Sequence, residues 1–153
     1  MITLEPIGFV KNERKEVKDD FWGSVKSKII ILNKYPEECL EGIEGFSHLE
    51  IIYYFDKVDK NEIMPGSVHP RNNPDYPKVG IFAMRKKDRP NLLGLTMVKL
   101  VKKEGRTLFV EGLDAIDGTP VLDIKPVFRD FLPSGEVVQP EWVSVMLKDY
   151  YAK

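Results

Sequence analysis

Short runs of apolar and β-branched residues, separated by turn-forming residues, are the main pattern in this chain. Such runs predict β-strands, here over residues 7–10, 28–32, 49–55, 79–84, 95–101, 107–113 and 121–124. The run 95–101 predicts a mostly buried strand, interrupted by the polar residues Thr96 and Lys99. Long helical patterns do not alternate with these runs, which argues against a doubly wound sheet. The pattern therefore predicts an all-β fold, either a barrel or a sandwich.

Helical patterns are few. The segment 36–42 begins with proline and two acidic residues and ends at Gly42, which is typical of a short helix. A second helix is predicted to begin after Pro140 and to run from Glu141 to about Tyr150. Its apolar side would consist of Trp142, Val145, Met146 and Tyr150.

The length and the rare residue types narrow the class of protein. A chain of 153 residues predicts a single domain, residues 1–153. No apolar run approaches the roughly 18 residues of a membrane helix, and no secretory signal is readable, so we expect a soluble, cytoplasmic protein. Cys39 is the only cysteine and is expected to be a small core residue. A single cysteine excludes an internal disulfide and any multi-cysteine site. A three-histidine zinc site is excluded because His48 and His69 are the only histidines. We expect no metal, and a partly buried His48.

Candidate chemistry lies in two long polar loops, residues 56–78 and 85–94, because loops of this length are usually functional. The first contains His69 and Arg71, which could contact an anionic ligand or RNA. The second begins with four basic residues and one acidic residue at positions 85–89. This run could bind phosphates or a carboxylate, or it could be a solvated hairpin tip. The formal net charge is −1, so any nucleic-acid binding requires such a local patch.

The segment 117–126 is the most informative stretch. Asp117 and Gly118 predict a tight turn, and the residues before its prolines are expected to be extended. Asp117 and Asp123 could bind a cation or accept a proton. Equally, Asp117 could close the turn while Asp123 pairs with Lys125. Glycine-rich nucleotide-binding motifs are absent, which disfavours a Rossmann-type cofactor site.

Several motifs together resemble the TsaA-like (TrmO-type) family over nearly the whole chain. They are Phe46-Ser47-His48-Leu49, the loop with His69, Gly80 to Arg85, Arg89 to Leu95, and Asp117-Gly118-Thr119-Pro120-Val121-Leu122-Asp123-Ile124-Lys125-Pro126. The resemblance implies a small closed β-barrel with short peripheral helices that forms a homodimer. It also implies binding of S-adenosylmethionine and methylation of N6 of threonylcarbamoyladenosine beside the tRNA anticodon.

The resemblance also assigns site residues. Those expected to bind the cofactor are Arg85, Leu95, Asp117, Gly118, Thr119 and Pro120, with Asp56, Lys57, Phe21 and Trp22 at further contacts. Charge and loop position, rather than the resemblance, predict contacts to the tRNA anticodon stem-loop for His69, Arg71, Lys86, Lys87 and Arg89, joined by Lys99, Lys102 and Lys103.

This chain departs from the family pattern after Ala83 and after Asn91, and Asp56-Lys57 replaces the histidine–glutamine pair of many members. Two other functions therefore stay open. One is a methyltransferase of the same fold with a different substrate, and the other is a non-catalytic β-barrel that binds RNA or a nucleotide.

Overall fold

A computed structural model describes all 153 residues and contains eight β-strands and one short α-helix. The strands are β1 (Gly8–Lys11), β2 (Lys26–Ile31), β3 (His48–Tyr54), β4 (Ser67–Val68), β5 (Val79–Gly80), β6 (Leu93–Glu104), β7 (Thr107–Glu111) and β8 (Pro120–Pro126). The helix α1 spans Glu141–Met146, and six short 3-10 helices lie in the connections. None of these helices has the length and apolar character that a membrane crossing requires.

Six strands close into a barrel in the order β1-β2-β7-β6-β3-β8, and every neighbouring pair is antiparallel. The seam is short, because β1 and β8 are paired only at Gly8–Val121 and Phe9–Pro120. The strands β4 and β5 form a separate two-stranded sheet. This architecture confirms the closed β-barrel with short peripheral helices.

The core fills the barrel because side chains on each strand alternate between its inside and its outside. In β2, for example, Ser27, Ile29 and Ile31 are buried, and the residues between them are exposed. Thirteen buried apolar or aromatic residues form one cluster, with members from all six barrel strands.

Two predicted strands differ from the structure. Residues 79–84 form only the two-residue β5, followed by a 3-10 helix at Ile81–Ala83. In that 3-10 helix Ile81 is buried, whereas Phe82 is 83% exposed. In β8, a register shift beside Ile52 and Tyr53 breaks the alternation. Val121 is therefore buried, whereas Asp123 is exposed, although the simple alternation placed them on one face.

The strand β6 is not mostly buried as expected. Leu95, Met97 and Val101 are 43%, 51% and 50% exposed, and Thr96 points inward. The polar Thr96 tolerates burial because its hydroxyl has a carboxylate partner, Asp114. As a result, the outer face of the first half of β6 is apolar.

Three local expectations were also wrong. Cys39 is exposed, because the 3-10 helix Glu37–Leu40 turns Leu40 toward the core instead. His48 is exposed at the start of β3, and its Nδ1 lies 2.6 Å from the hydroxyl of Ser47. The helix α1 ends at Met146 rather than near Tyr150, and Val145 on its predicted apolar side is 52% exposed.

Candidate functional site

At one end of the barrel, Arg85 and Leu95 come together as the sequence predicted. Arg85 follows the 3-10 helix Ile81–Ala83, and its guanidinium donates to the carbonyl oxygen of Leu95 near the start of β6. Both side chains are exposed. The guanidinium has five N–H donors, so this one contact leaves most of them available to a ligand.

A cluster around Asp114 lies at the same end, and sequence reasoning missed it. The Oδ1 atom of Asp114 accepts hydrogen bonds from the Thr96 hydroxyl and, at 3.0 Å, from the Tyr53 hydroxyl. Its Oδ2 atom accepts from the hydroxyl of Tyr150. We call these four residues the Asp114 cluster. Three hydroxyl donors thus converge on one partly buried carboxylate.

The tyrosines of the Asp114 cluster are held as hydrogen-bond donors. Burial and the negative charge of Asp114 raise the pKa of Tyr53 and of Tyr150 well above the ordinary value of 10.0. The positive charge of Arg85 acts in the opposite direction on the pKa of Tyr53. Both hydroxyls therefore stay protonated at neutral pH. Arg85 lies close enough to Tyr53 for its charge to act on the Tyr53 hydroxyl.

A glycine gives Tyr53 its place in the cluster. Gly94 is paired with Tyr53 across β3 and β6, and a β-carbon added at position 94 would lie 2.4 Å from the Tyr53 ring. The ring therefore lies directly over the backbone of Gly94, and no larger residue fits there without displacing it.

The turn at residues 117–120 is fixed to the end of β1. The Asp117 carboxylate accepts from the backbone N–H of Asn12 at 3.0 Å, and the N–H of Gly118 donates to the carbonyl of Val10 at 2.8 Å. Gly118 has a φ of +84°, which favours glycine. The Thr119 hydroxyl donates to the carbonyl of Ile116 at 2.7 Å, and Pro120 begins β8. Asp117 thus ties the turn to the residue after β1, and the turn itself is closed by bonds from Thr119 to the carbonyl of Ile116.

The Phe21–Trp22 pair has two different environments. Trp22 is buried, with the Arg14 guanidinium 4.0 Å above its ring, whereas Phe21 is 52% exposed at a φ of +67°. Their backbone N–H groups donate to the carbonyls of Asp149 and Tyr150. The C-terminal segment thereby links this pair to the Asp114 cluster through the hydroxyl of Tyr150.

Asp56 and Lys57 lie just beyond β3, at the end of the barrel that holds Arg85. The preceding residue, Phe55, donates its N–H to the carbonyl of Leu92, immediately before β6. The Lys57 ammonium lies 4.0 Å from the Asp56 carboxylate, and both side chains remain accessible. The structure therefore places this predicted pair beside the start of β6.

Most of the predicted RNA contacts already have partners within the chain. Arg71 donates to both carboxylate oxygens of Asp20, at 2.9 and 3.2 Å, and the Nδ1 of His69 lies 2.6 Å from the carbonyl of Tyr76. In the basic loop, the Lys86 ammonium is 3.2 Å from Asp88, and Arg89 donates to the carbonyls of Met84 and Lys86. Only Lys87 among the five is both exposed and without such a partner.

The opposite end of the barrel carries a cleft of about 430 Å³, lined mostly by apolar side chains. Asp123 lies at its edge, and its carboxylate accepts from the backbone N–H of Ile124. Asp123 is thus separated from the Asp114 cluster, and its charge is 4.0 Å from the Lys125 ammonium. Histidine, cysteine and carboxylate side chains nowhere gather in a group of three that could hold a metal ion.

The end with Arg85 therefore combines an accessible cation, a stabilised anion and exposed apolar surface. A ligand that carries both charges and an apolar portion suits this arrangement. The profile of one protein family, the tRNA-methyltransferase O N-terminal domain, matches residues 15–131 of the chain. The chain belongs to this family.

Relatives and solved structures agree with membership in the tRNA-methyltransferase O family. A tRNA (adenine(37)-N6)-methyltransferase of Mus musculus is 45% identical over 139 residues, which cover 85% of this chain and 32% of the mouse protein. A probable S-adenosyl-L-methionine-binding protein of Methanothermobacter thermautotrophicus is 36% identical, with 84% of this chain and 92% of that protein covered. The crystal structure of TrmO from Pseudomonas aeruginosa has a TM-score of 0.74 at 25% identity, covering 93% of this chain and 62% of that one. The chain thus spans about one third of the mouse relative.

Signals for the missed Asp114 cluster exist in the sequence. Thr96 is a polar residue within an otherwise apolar strand, and Asp114 directly follows the strand run 107–113. A buried threonine requires a hydrogen-bond partner, and a carboxylate at a strand end can supply it. The hairpin turn at Gly105 makes β6 and β7 neighbours, but the sequence alone does not show that Tyr53 and Tyr150 reach the same carboxylate.

Proposed function

We propose that this chain is an S-adenosylmethionine-dependent methyltransferase that modifies N6 of adenosine in tRNA, with threonylcarbamoyladenosine beside the anticodon as acceptor. The observation that carries the proposal is the meeting of the Arg85 guanidinium and the Asp114 cluster at one end of the barrel. Support also comes from the family and from the names of the mouse and archaeal relatives.

The residues at this end fit the cofactor. Its methionyl carboxylate suits the planar donors of Arg85, and its cationic groups suit a site near the Asp114 carboxylate. The exposed Leu95 side chain offers apolar surface to the nucleoside portion. We propose the remaining predicted cofactor contacts as well, and these are Asp117, Gly118, Thr119, Pro120, Asp56, Lys57, Phe21 and Trp22.

When bound, the cofactor supplies an electrophilic methyl group on a sulfonium. The chain contributes mainly orientation, and ordering of two reactants can supply several kcal/mol of rate acceleration. The acceptor nitrogen must also lose a proton. Of the two carboxylates considered from the sequence, Asp117 lies at the same end as Arg85, whereas Asp123 lies toward the opposite cleft. Asp117 is therefore the better candidate proton acceptor.

The apolar outer face of the first half of β6 supports a homodimer. Leu93, Leu95 and Met97 are each 37–51% exposed there, ahead of Lys99, and contiguous exposed apolar surface marks an interaction site. Leu95 belongs to this face and also contacts Arg85. We propose that a second copy covers it and completes one side of the cofactor site.

The proposed substrate also implies the compartment and the RNA contacts. We propose a cytoplasmic protein, because that is where mature tRNA is used. Lys87 is the member of the basic loop that is free to contact RNA. For His69, Arg71, Lys86 and Arg89, RNA contact stays a prediction that would require exchange of their present partners.

Two measurements test the proposal. Calorimetry on the purified protein should show heat of binding with S-adenosylmethionine and with its demethylated product. A labelled methyl group should then pass to tRNA that carries threonylcarbamoyladenosine, and not to the same tRNA without that modification.

The alternatives predict different results. A methyltransferase with another substrate would bind the cofactor but transfer no label to either tRNA. A non-catalytic RNA-binding barrel would show no heat with the cofactor at millimolar concentration, and this result would overturn the enzymatic function altogether.

A further inference from the structure

One outer wall of the barrel carries a concentration of lysines. It is formed by β1, β2, β7 and the second half of β6, and its outward lysines are Lys11, Lys26, Lys28, Lys99 and Lys102, all exposed. We call these five residues the lysine face. The same wall has only two outward acidic residues, Glu104 and Glu111. It is therefore positively charged, although the chain has a formal net charge of −1.

Strand register brings these lysines into rows. Lys11 is paired with Lys28, Lys28 with Phe109, and Phe109 with Lys102 across four neighbouring strands. At about 4.8 Å per strand, this row extends roughly 14 Å around the barrel. Lys26 and Lys99 flank Glu111 in the next row. The rows exist only in the folded barrel, because their members are far apart in the sequence.

The aromatic side chain of Phe109 lies in the first row, between Lys28 and Lys102. The ammonium groups of Lys28 and Lys102 lie 5.2 and 4.5 Å from the centre of the Phe109 ring. Cation–π attraction favours both positions and limits the freedom of two otherwise flexible side chains. Binding an anion then costs less side-chain entropy than it would with unrestrained lysines.

These lysines are also largely unpaired. Lys11, Lys26, Lys28 and Lys99 have no carboxylate within ion-pair distance, and Lys102 pairs only with the exposed Glu104, at 2.8 Å. The basic loop differs, since Lys86 and Arg89 already have partners within it. The lysine face is thus the larger source of uncommitted positive charge.

We infer that the lysine face is a binding surface for the phosphate backbone of the tRNA substrate. The inference rests on the proposed function, which supplies an RNA partner. Several unpaired cations at regular spacing suit a polyanion, and counterion release makes such contacts favourable. The accessible part of the half-buried Phe109 ring suits contact with an unpaired base or a ribose next to those phosphates.

The face and the cofactor end are joined by one strand. In β6, Leu95 touches Arg85 and Lys99 belongs to the lysine face. Lys99 follows Leu95 by four positions, about 13 Å at 3.3 Å per residue. Glu111 of β7 likewise lies three positions before Asp114. A single RNA stem-loop can therefore place a base beside the cofactor end and its phosphates on the lysine face.

The test compares two triple variants of the full chain with equal charge change. The first is Lys11→Gln, Lys28→Gln and Lys102→Gln. The control is Lys60→Gln, Lys125→Gln and Lys148→Gln, which removes three exposed lysines elsewhere. Fluorescence anisotropy measures the affinity for labelled tRNA over a range of salt concentrations, and calorimetry with S-adenosylmethionine reports whether the cofactor end is intact.

We expect the first triple to bind tRNA roughly 10- to 100-fold more weakly near 0.1 M salt, with a salt slope smaller by about two to three. Cofactor affinity should not change, and the control should stay within about threefold of the wild type. Phe109→Leu keeps an apolar side chain but loses the ring, so we expect roughly two- to fivefold weaker binding.

The inference would be overturned if both triple variants lost tRNA affinity equally, or if the first triple variant lost none. Methyl transfer by the wild type would still support the proposed function in either case. Conversely, face-dependent binding of tRNA without any methyl transfer by the wild type would overturn the proposed function and keep the lysine face as an RNA-binding surface.

Discussion

The basic loop at residues 85–89 and the lysine face are both rich in positive charge, but they use it differently. In the loop, Lys86 pairs with Asp88, Arg89 donates to two backbone carbonyls, and Arg85 donates to Leu95. On the lysine face, four of five ammonium groups have no carboxylate partner. The charged groups of the loop therefore mostly stabilise the conformation of the loop, whereas those of the lysine face remain available to a ligand.

This difference shows why a run of charges in a sequence is a weak guide to a binding surface. Neighbouring charged residues in a loop can reach one another and nearby carbonyls, so they tend to neutralise each other locally. On a strand, residues at every second position point the same way, so lysines without an acidic residue two positions away keep their charge free. Lys11 and Lys28 are of this kind, and they come together with Lys102 only through strand pairing.

The largest effect is expected for Arg85→Ala, on the affinity for the proposed cofactor. Loss of a charged donor to the cofactor carboxylate costs about 1.5–3 kcal/mol, so cofactor affinity should fall roughly 10- to 150-fold. Affinity for tRNA should change little, because we assign Arg85 to the cofactor. Calorimetry and tRNA anisotropy measure the two quantities.

Arg129→Ala is the matched control for Arg85→Ala, because Arg129 is an exposed arginine outside the site. It should leave cofactor affinity unchanged. A wild-type cofactor affinity in Arg85→Ala would remove Arg85 from the proposed site, and a selective loss of tRNA affinity would make the loop an RNA contact.

A smaller effect is expected for Asp88→Asn. The Asp88 side chain is only 14% exposed and holds the ammonium of Lys86, which is 21% exposed. Loss of this partly buried ion pair should lower the free energy of unfolding by about 1–3 kcal/mol and the melting temperature by a few degrees. The salt slope of tRNA binding should stay the same. Urea unfolding and salt titration check both statements.

Asp130→Asn, at an exposed position, serves as the control and should leave stability within about 0.5 kcal/mol of the wild type. A clear gain of tRNA affinity in Asp88→Asn with unchanged stability would mean that Lys86 was available to RNA all along. The contrast between the loop and the lysine face would then fail.

The smallest effect is expected in the pH dependence of stability, through Tyr53 of the Asp114 cluster. Burial raises the pKa of Tyr53 above its ordinary value of 10.0, so the folded state holds this proton more tightly than the unfolded state. The stabilisation is complete below pH 10 and declines as the pH rises above it, by up to about 1.4 kcal/mol per pH unit. Urea unfolding between pH 8 and pH 10.5 should show a shallower decline in Tyr53→Phe than in the wild type. Identical slopes would contradict a buried, neutral Tyr53.

Much of the fold followed from the sequence. Six barrel strands overlap the predicted runs, because alternating branched residues determine strand formation locally. The burial of β6 was predicted wrongly for a reason that the sequence does not show. Thr96 was considered an interruption of a buried strand, although its hydroxyl is buried against Asp114. Which side of a strand faces the core depends on partners that are distant in the sequence, and local pattern cannot supply them.

The site was predictable in part. The prediction that Arg85 and Leu95 lie together is confirmed, because the two residues are only ten positions apart on either side of the turn before β6. The Asp114 cluster joins four separate segments of the chain, and its members have no common motif. The rows of the lysine face depend on strand order in the same way, so Lys11 and Phe109 become neighbours of one surface only when the barrel order is known.

The short seam of the barrel gives the proposed cofactor a second role. β1 and β8 meet at only two residue pairs, and the turn with Asp117 and Gly118 connects that junction to Asn12 and Val10. A molecule bound to this turn and to Arg85 would favour the joined state by mass action. On the proposed function, we therefore expect the methyl donor to hold the two strands together, so that its removal lowers the stability of the barrel.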